Sequence, residues 1–273
     1  MRGGPVRDKL QIVELGQGAP LVFIPGLQGR WEYARITVNS LARHFRVLTA
    51  SLCDEPSAGA TVDRARGMDA FGDHVIAMMD ATGVKRAAVC GLSFGGLVAL
   101  NIASRFPERV ESLVLASTPG PGFHLRRRHE IYAKLPWIFG PVFLIETPFR
   151  AGREIRRALP NARERRGFIW SVLTTGLRSR LSPARMAARA RLIGGYDIAS
   201  ACARIAAPTL IVTGEPGLDF VVKTDTTRQY TTLIAGAKHI VLKDTGHQGT
   251  LTRPDVFAEI VRRFAEKAHH AAA

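Results

Sequence analysis

Short apolar runs alternate with stretches of helical period along most of the chain. Pro20 to Ile24 is an apolar run closing on Pro25-Gly26, the pattern of a buried strand entering a tight loop. Ala87 to Gly91 and Val110 to Ala116 read the same way, and Pro208 to Thr213 and His239 to Lys243 add two more strands. Lys9 to Leu15 alternates apolar with polar positions, and Arg46 to Ala50 is a further strand. Helical spacing predicts helices over Glu32 to Phe45, Asp69 to Thr82, Gly95 to Phe106 and Lys223 to Ile234. Asp54 to Gly67 reads as loop. A last helix opens at Pro254, whose ring suits a first helical turn, and runs past Phe264 into a frayed tail from Ala265 to Ala273. Strands alternating with helices predict an α/β fold, a mostly parallel central sheet flanked by helices.

One segment breaks this rhythm. From about Pro119 to Ser200 the chain is helical in period, rich in arginine and punctuated by Pro121, Pro136, Pro141, Pro148, Pro160 and Pro183. It reads as a helical insertion between two sheet strands. The division expected is a core of 1–118 and 200–273, with 119–199 as the insertion.

Composition narrows the class. With 46% apolar residues in 273, a sizeable core can be buried, and 22% charged residues argues against both a disordered chain and a polytopic membrane protein. Cys53, Cys90 and Cys202 form no CxxC pair and make neither a disulfide framework nor a cysteine-rich metal site. No apolar segment of secretory type opens the chain, and the expected location is cytoplasmic. The uncharged run between Arg86 and Arg105 contains Gly91, Ser93, Gly95, Gly96 and Asn101, and reads as buried strand, turn and helix rather than a membrane span.

The formal net charge is +15, unevenly placed. Between Gly120 and Leu192 there are 15 Arg and one Lys against four Glu and no Asp, a net +12. Nucleic acid is disfavoured as a partner, because aromatics are only 7% and no recognised binding motif is present. Arg153, Arg156, Arg157, Arg185 and Arg189 interleave with Ala and Leu as a solvated helix face would, while peripheral contact with an anionic membrane is the alternative. Leu135 to Ile145, Phe168 to Trp170 and Val172-Leu173 are apolar, and read first as packing core of the insertion and second as an acyl pocket or lipid-facing surface.

Gly91-Leu92-Ser93-Phe94-Gly95 fits the nucleophile-elbow pattern G-x-S-x-G, and its context is the required one: a strand enters and a helix leaves. Gly91 and Gly95 sit where a sharp turn would bring Cβ atoms into collision, and the helix N-terminus aims its N–H groups and dipole at the serine. The alternative is that Ser93 only caps the helix.

On these residues the chain resembles the α/β-hydrolase fold superfamily, in its serine-nucleophile, esterase- and lipase-like branch with a helical cap, over nearly its whole length. The family order of nucleophile, acid and histidine then implies His247, in Gly246-His247 after the last strand, as the base. It implies Asp219 as the acid, in Asp219-Phe-Val-Val222 after the Pro208–Thr213 strand, with Glu215 as a rival. The backbone amides of Leu27 and Phe94 are implied as the oxyanion hole, although this chain has Ile24-Pro25-Gly26-Leu27 where many relatives carry His-Gly. Gln28 either holds that loop, the favoured role, or faces the pocket.

The resemblance implies a serine hydrolase cleaving a carboxylic ester or related acyl bond of a small molecule, an amphiphilic one being an alternative, with no metal and no cofactor. Carbon–carbon hydrolysis, perhydrolysis or acyl transfer on the same residues is the alternative. A non-catalytic binding protein with a basic cap is the alternative of another class.

Overall fold

A computed structural model describes residues 10–59, 63–123, 134–135, 151–179 and 181–272. Among them, β1 (Val13–Leu15), β2 (Pro20–Ile24), β3 (Arg46–Thr49), β4 (Ala87–Leu92), β5 (Val110–Ala116), β6 (Thr209–Thr213) and β7 (Lys238–Val241) form one sheet in the order β1-β3-β2-β4-β5-β6-β7. Only β1 is antiparallel, paired with β3 through Glu14 opposite Leu48. The other pairings are parallel, with Phe23 opposite Cys90 and Gly91 opposite Leu115.

Helices cover both faces because the parallel strands are apolar on both faces. In β4, Val89 joins the core under α2 (Met68–Ala81) and α3 (Phe94–Arg105). Its neighbours Ala88 and Cys90 point the other way, towards α1 (Arg35–Leu41) and the C-terminal helix Pro254–Ala272, with Leu41, Phe257 and Val261. That alternation is the two-residue period of a strand. The three cysteines are free and buried, and burial pushes the Cys53 and Cys202 thiols up to about 12.

The chain leaves β2 towards β3 on one side and returns to β4 on the other. The loops after β2 and β4 therefore face each other at the carboxyl ends of neighbouring strands, where open α/β sheets place ligands. Between β5 and β6 lie α4 (151–158), α5 (Ala162–Arg178), α6 (Pro183–Gly195) and α7 (Ile198–Cys202). Asn161 caps α5 by accepting from the Arg163 and Glu164 amides, and Ser182 caps α6 ahead of Pro183.

Several expectations are corrected. Glu32–Phe45 becomes a 3-10 turn, Trp31–Ala34, followed by the shorter α1. Lys223–Ile234 splits into α8 (Thr224–Arg228) and α9 (Tyr230–Leu233), a stretch holding five threonines whose β-branches disfavour a long helix. After α10 (Gly249–Thr252), α11 (Pro254–Ala272) continues through the segment expected to fray. Ala268 is buried there, and His269 Nδ1 lies 2.5 Å from Glu111 on β5. The apolar run Leu135–Ile145 lies, beyond Leu135 itself, outside the described residues.

Phe257 anchors α11 with no solvent exposure. Phe257→Ala is expected to lower unfolding free energy by about 3–5 kcal/mol, read from the urea midpoint at unchanged slope.

Candidate active site

The turn between β4 and α3 is sharp and strained at its centre. Ser93 has φ 54° and ψ −118°, a region that non-glycine residues enter at a cost of about 1–3 kcal/mol. Its N–H donates to the Ala116 carbonyl at 2.8 Å, holding the turn against β5. A Cβ on Gly91 would lie 2.2 Å from the Gly95 carbonyl oxygen, and one on Gly95 would lie 2.3 Å from that of Ile24. Only glycine permits the elbow to close and to press on the loop after β2. The Ser93 side chain does not cap α3.

It faces His247 instead. His247 Nε2 lies 3.2 Å from Ser93 Oγ, and Nδ1 lies 3.1 Å from Asp219 Oδ2. The second Asp219 oxygen accepts the Val221 and Val222 amides at 2.9 and 2.8 Å, fixing the carboxylate, whose side chain is 2% exposed. Glu215 is differently occupied, accepting the Asp244 amide at 2.9 Å. Burial acts to lower the His247 pKa, but the Asp219 charge and hydrogen bond, with the charge of Glu154, outweigh it, so the net shift is upward. Acid and histidine loops meet through glycine: a Cβ on Gly246 would lie 2.4 Å from the Leu218 carbonyl oxygen.

Leu27 follows β2, and Phe94 opens α3, where the first amides have no partner within the helix. A cleft partly open to solvent has Ser93 and His247 in its wall. Gln28 lines it, in place of the purely loop-holding role favoured from sequence, together with Arg30, Tyr33 and Leu251. Tyr33 Oη donates to the Ser179 carbonyl of the insertion, and burial pushes its pKa up to about 12. Among the described residues no three His, Cys, Asp or Glu side chains are grouped to hold a metal ion.

Among the described residues of the insertion, Arg189 and Glu154 bond to the backbone of the site's loops, roles that sequence reasoning missed. Arg189 on α6 is 0% exposed, which corrects the solvated face expected for it. Its Nη1 donates to the Leu27 carbonyl at 2.8 Å, and Nη2 bonds Asp54 at 2.6 Å and Glu55 at 2.5 Å. Arg185 pairs with the other Glu55 oxygen at 2.9 Å. Helical period places Arg185 and Arg189 on one face, but the acids that face them come from a distant loop. Glu154, on α4, accepts the Gly246 and Gln248 amides on either side of His247, at 2.8 and 2.6 Å. Its signal in the sequence was one acid set among Arg153, Arg156 and Arg157. Those three arginines are exposed, and Arg157 pairs with Asp244 at 2.8 Å.

The α/β hydrolase fold family model matches residues 19–254. The chain is 27% identical over 271 residues to the 2-hydroxymuconate semialdehyde hydrolase of Pseudomonas sp. strain CF600, spanning 94% of this chain and 90% of that protein. It is 24% identical over 275 residues to the pimeloyl-[acyl-carrier protein] methyl ester esterase of Nitrosospira multiformis, spanning 94% and 98%. The enol-lactonase from Burkholderia xenovorans LB400 shares its fold, with TM-score 0.74 at 21% identity over 93% and 95% of the two chains. The chain belongs to the α/β-hydrolase fold family, and it is a hydrolase of that family.

The Arg189 contacts carry a stability prediction. Arg189→Met takes the buried guanidinium from buried Glu55 and part-buried Asp54 and is expected to cost about 3–5 kcal/mol in urea unfolding. Adding Asp54→Asn and Glu55→Gln to the same chain should recover a measurable part of that loss.

Proposed function

We propose that the chain is a serine hydrolase that cleaves a carboxylic ester or related acyl bond of a small molecule through an acyl-enzyme on Ser93. The observation that carries this reading is the relay from Ser93 Oγ to His247 Nε2 at 3.2 Å and from Nδ1 to Asp219 at 3.1 Å, in the wall of a cleft. His247 takes the Ser93 proton as Oγ attacks the substrate carbonyl carbon. Asp219 holds the Nδ1–H tautomer and stabilises the imidazolium that results. The carbonyl oxygen gains a negative charge in the tetrahedral intermediate. The Leu27 and Phe94 amides stabilise it, each worth about 3–4 kcal/mol by analogy with a measured protease donor.

The imidazolium then returns its proton to the leaving group as the carbon–heteroatom bond breaks. Water, deprotonated by the same histidine, releases the acid and restores Ser93. In this reading 119–199 forms a cap over the serine. Its Tyr33–Ser179 contact sits beside a wall that Arg30 and Gln28 make polar.

A second feature rests on α5. Ile169, Trp170, Leu173 and Leu177 share one exposed helix face, Trp170 at 69% and Leu177 at 83%, rather than forming the packing core first expected. Exposed Arg163 and Arg166 extend that face by one turn. Apolar surface continued by arginine matches an anionic bilayer, with acyl chains against the rings and headgroups against the guanidinium groups. Among the described residues no helix is long and apolar enough to cross a membrane, so the contact is peripheral.

Ser93→Ala is expected to lower p-nitrophenyl ester turnover by about 10⁶ and abolish the fluorophosphonate adduct in intact-protein mass spectrometry. Asp219→Asn should lose roughly 10³–10⁴-fold and Glu215→Gln far less. A folded Ser93→Ala protein with half the activity would end the serine mechanism.

Sedimentation with phosphatidylserine vesicles at low ionic strength tests the surface. Binding is expected to fall with added salt and on Trp170→Ala or Arg166→Glu. No binding at low salt, or a dimer disrupted by Trp170→Ala, overturns the bilayer contact.

A further inference from the structure

Glu154 has no part in the steps above, yet it lies against them. Its side chain is buried, 1% exposed, in a helix of the insertion rather than in the sheet core. One oxygen accepts two amides, Gly246 N–H and Gln248 N–H, which are the backbone groups on either side of the histidine. The other oxygen, Oε2, is buried with no hydrogen-bond partner. A strap needed only to hold a loop could be a neutral amide or hydroxyl. Burying a carboxylate with one oxygen unsatisfied is costly unless its charge is used.

We propose that Glu154 is a second carboxylate of the His247 site, a positioning residue that fixes the histidine loop and sets negative charge beside the imidazole as it takes up a proton. This rests on His247 serving as the base for Ser93. Two charged groups face it, the imidazole of His247, which favours its ionised form, and the carboxylate of Asp219, which opposes it. Arg157 and Arg253, on the neighbouring elements, are engaged with Asp244. Burial, the largest influence, pushes the Glu154 carboxyl up to about 7, so its charge is present above neutrality and fades below it. The sign follows: ionised Glu154 raises the His247 pKa, and removing that charge lowers it.

Glu154→Gln separates charge from strap, because the amide oxygen can still accept both N–H bonds. The measurement is an NMR titration of the His247 ring nitrogens in the full chain, alongside the pH profile of p-nitrophenyl ester hydrolysis. In Glu154→Gln the His247 pKa is expected to fall by about half a unit or more. The acid limb of kcat/KM should move down by the same amount, because that limb reports the free enzyme. The plateau kcat should fall several-fold with little change in KM.

A His247 pKa and acid limb that stay in place, in a variant with wild-type melting temperature, overturn the proposal and leave Glu154 as a strap. The NMR titration needs no substrate. Absent esterase activity would count against the hydrolytic reading, whereas an unmoved His247 in an active enzyme would count against this inference alone.

Discussion

The approach of three backbone segments around Ser93 is the constraint on which the rest of the site depends. The elbow brings Gly91 and Gly95 closer than any side chain allows, and seats Gly95 against the carbonyl of Ile24 at the end of β2. The positive φ at Ser93 is unfavourable alone, and two things hold it. One is the bond from its N–H to the end of β5. The other is α3, whose residues from Phe94 to Ser104 are all buried, so the helix cannot shift to relax the turn without opening the core. The crossover that places β2 next to β4 brings the β2 loop and the elbow together. The histidine loop then arrives from β7 at the far edge.

The insertion is bound to this core at its most demanding points. Arg189 reaches the loop after β2, and Glu154 reaches the loop carrying His247. Both are buried ions, and a buried ion is tolerated only when paired or richly hydrogen-bonded. Arg189 is balanced by Asp54 and Glu55, while Glu154 relies on two amides and the imidazole. Among the described residues, this region of net charge +12 buries Glu154 against the histidine loop and leaves most of its arginines exposed.

Much of this was legible in the sequence because much of it is local. The strand–turn–helix around Ser93 is written within twenty residues, and the apolar runs of β2, β4 and β5 announce themselves by length. What stayed hidden depends on partners remote in sequence. Arg189 and Trp170 both lie on amphipathic helices, and periodicity alone assigns each a face but not its surroundings. The guanidinium turned out to be in the core and the indole in solvent. The same limit applies to the tail: α11 is held at its end by Ala268 in the core and His269 against Glu111, contacts across more than 150 residues. For the split between α8 and α9 the cue was present, since threonines crowd that stretch.

Asp219 and Glu215 show how loop geometry sorts two acids that sequence leaves as rivals. Glu215 stands at the end of β6 and closes the loop onto Asp244, so it shapes the turn. Gly217, at φ 84°, reverses the chain and lets the loop fold back, and Asp219 then meets Nδ1 with its free oxygen while the amides of Val221 and Val222 hold the other. That leaves two carboxylates around one imidazole, one from the core and one from the insertion. Burial, and then the Asp219 charge, push the Glu154 carboxyl up to about 7, while the imidazole favours its ionised form. In the reading proposed for Glu154, its ionised form favours the imidazolium of His247 from a carboxylate already held by two amides, without a group having to move.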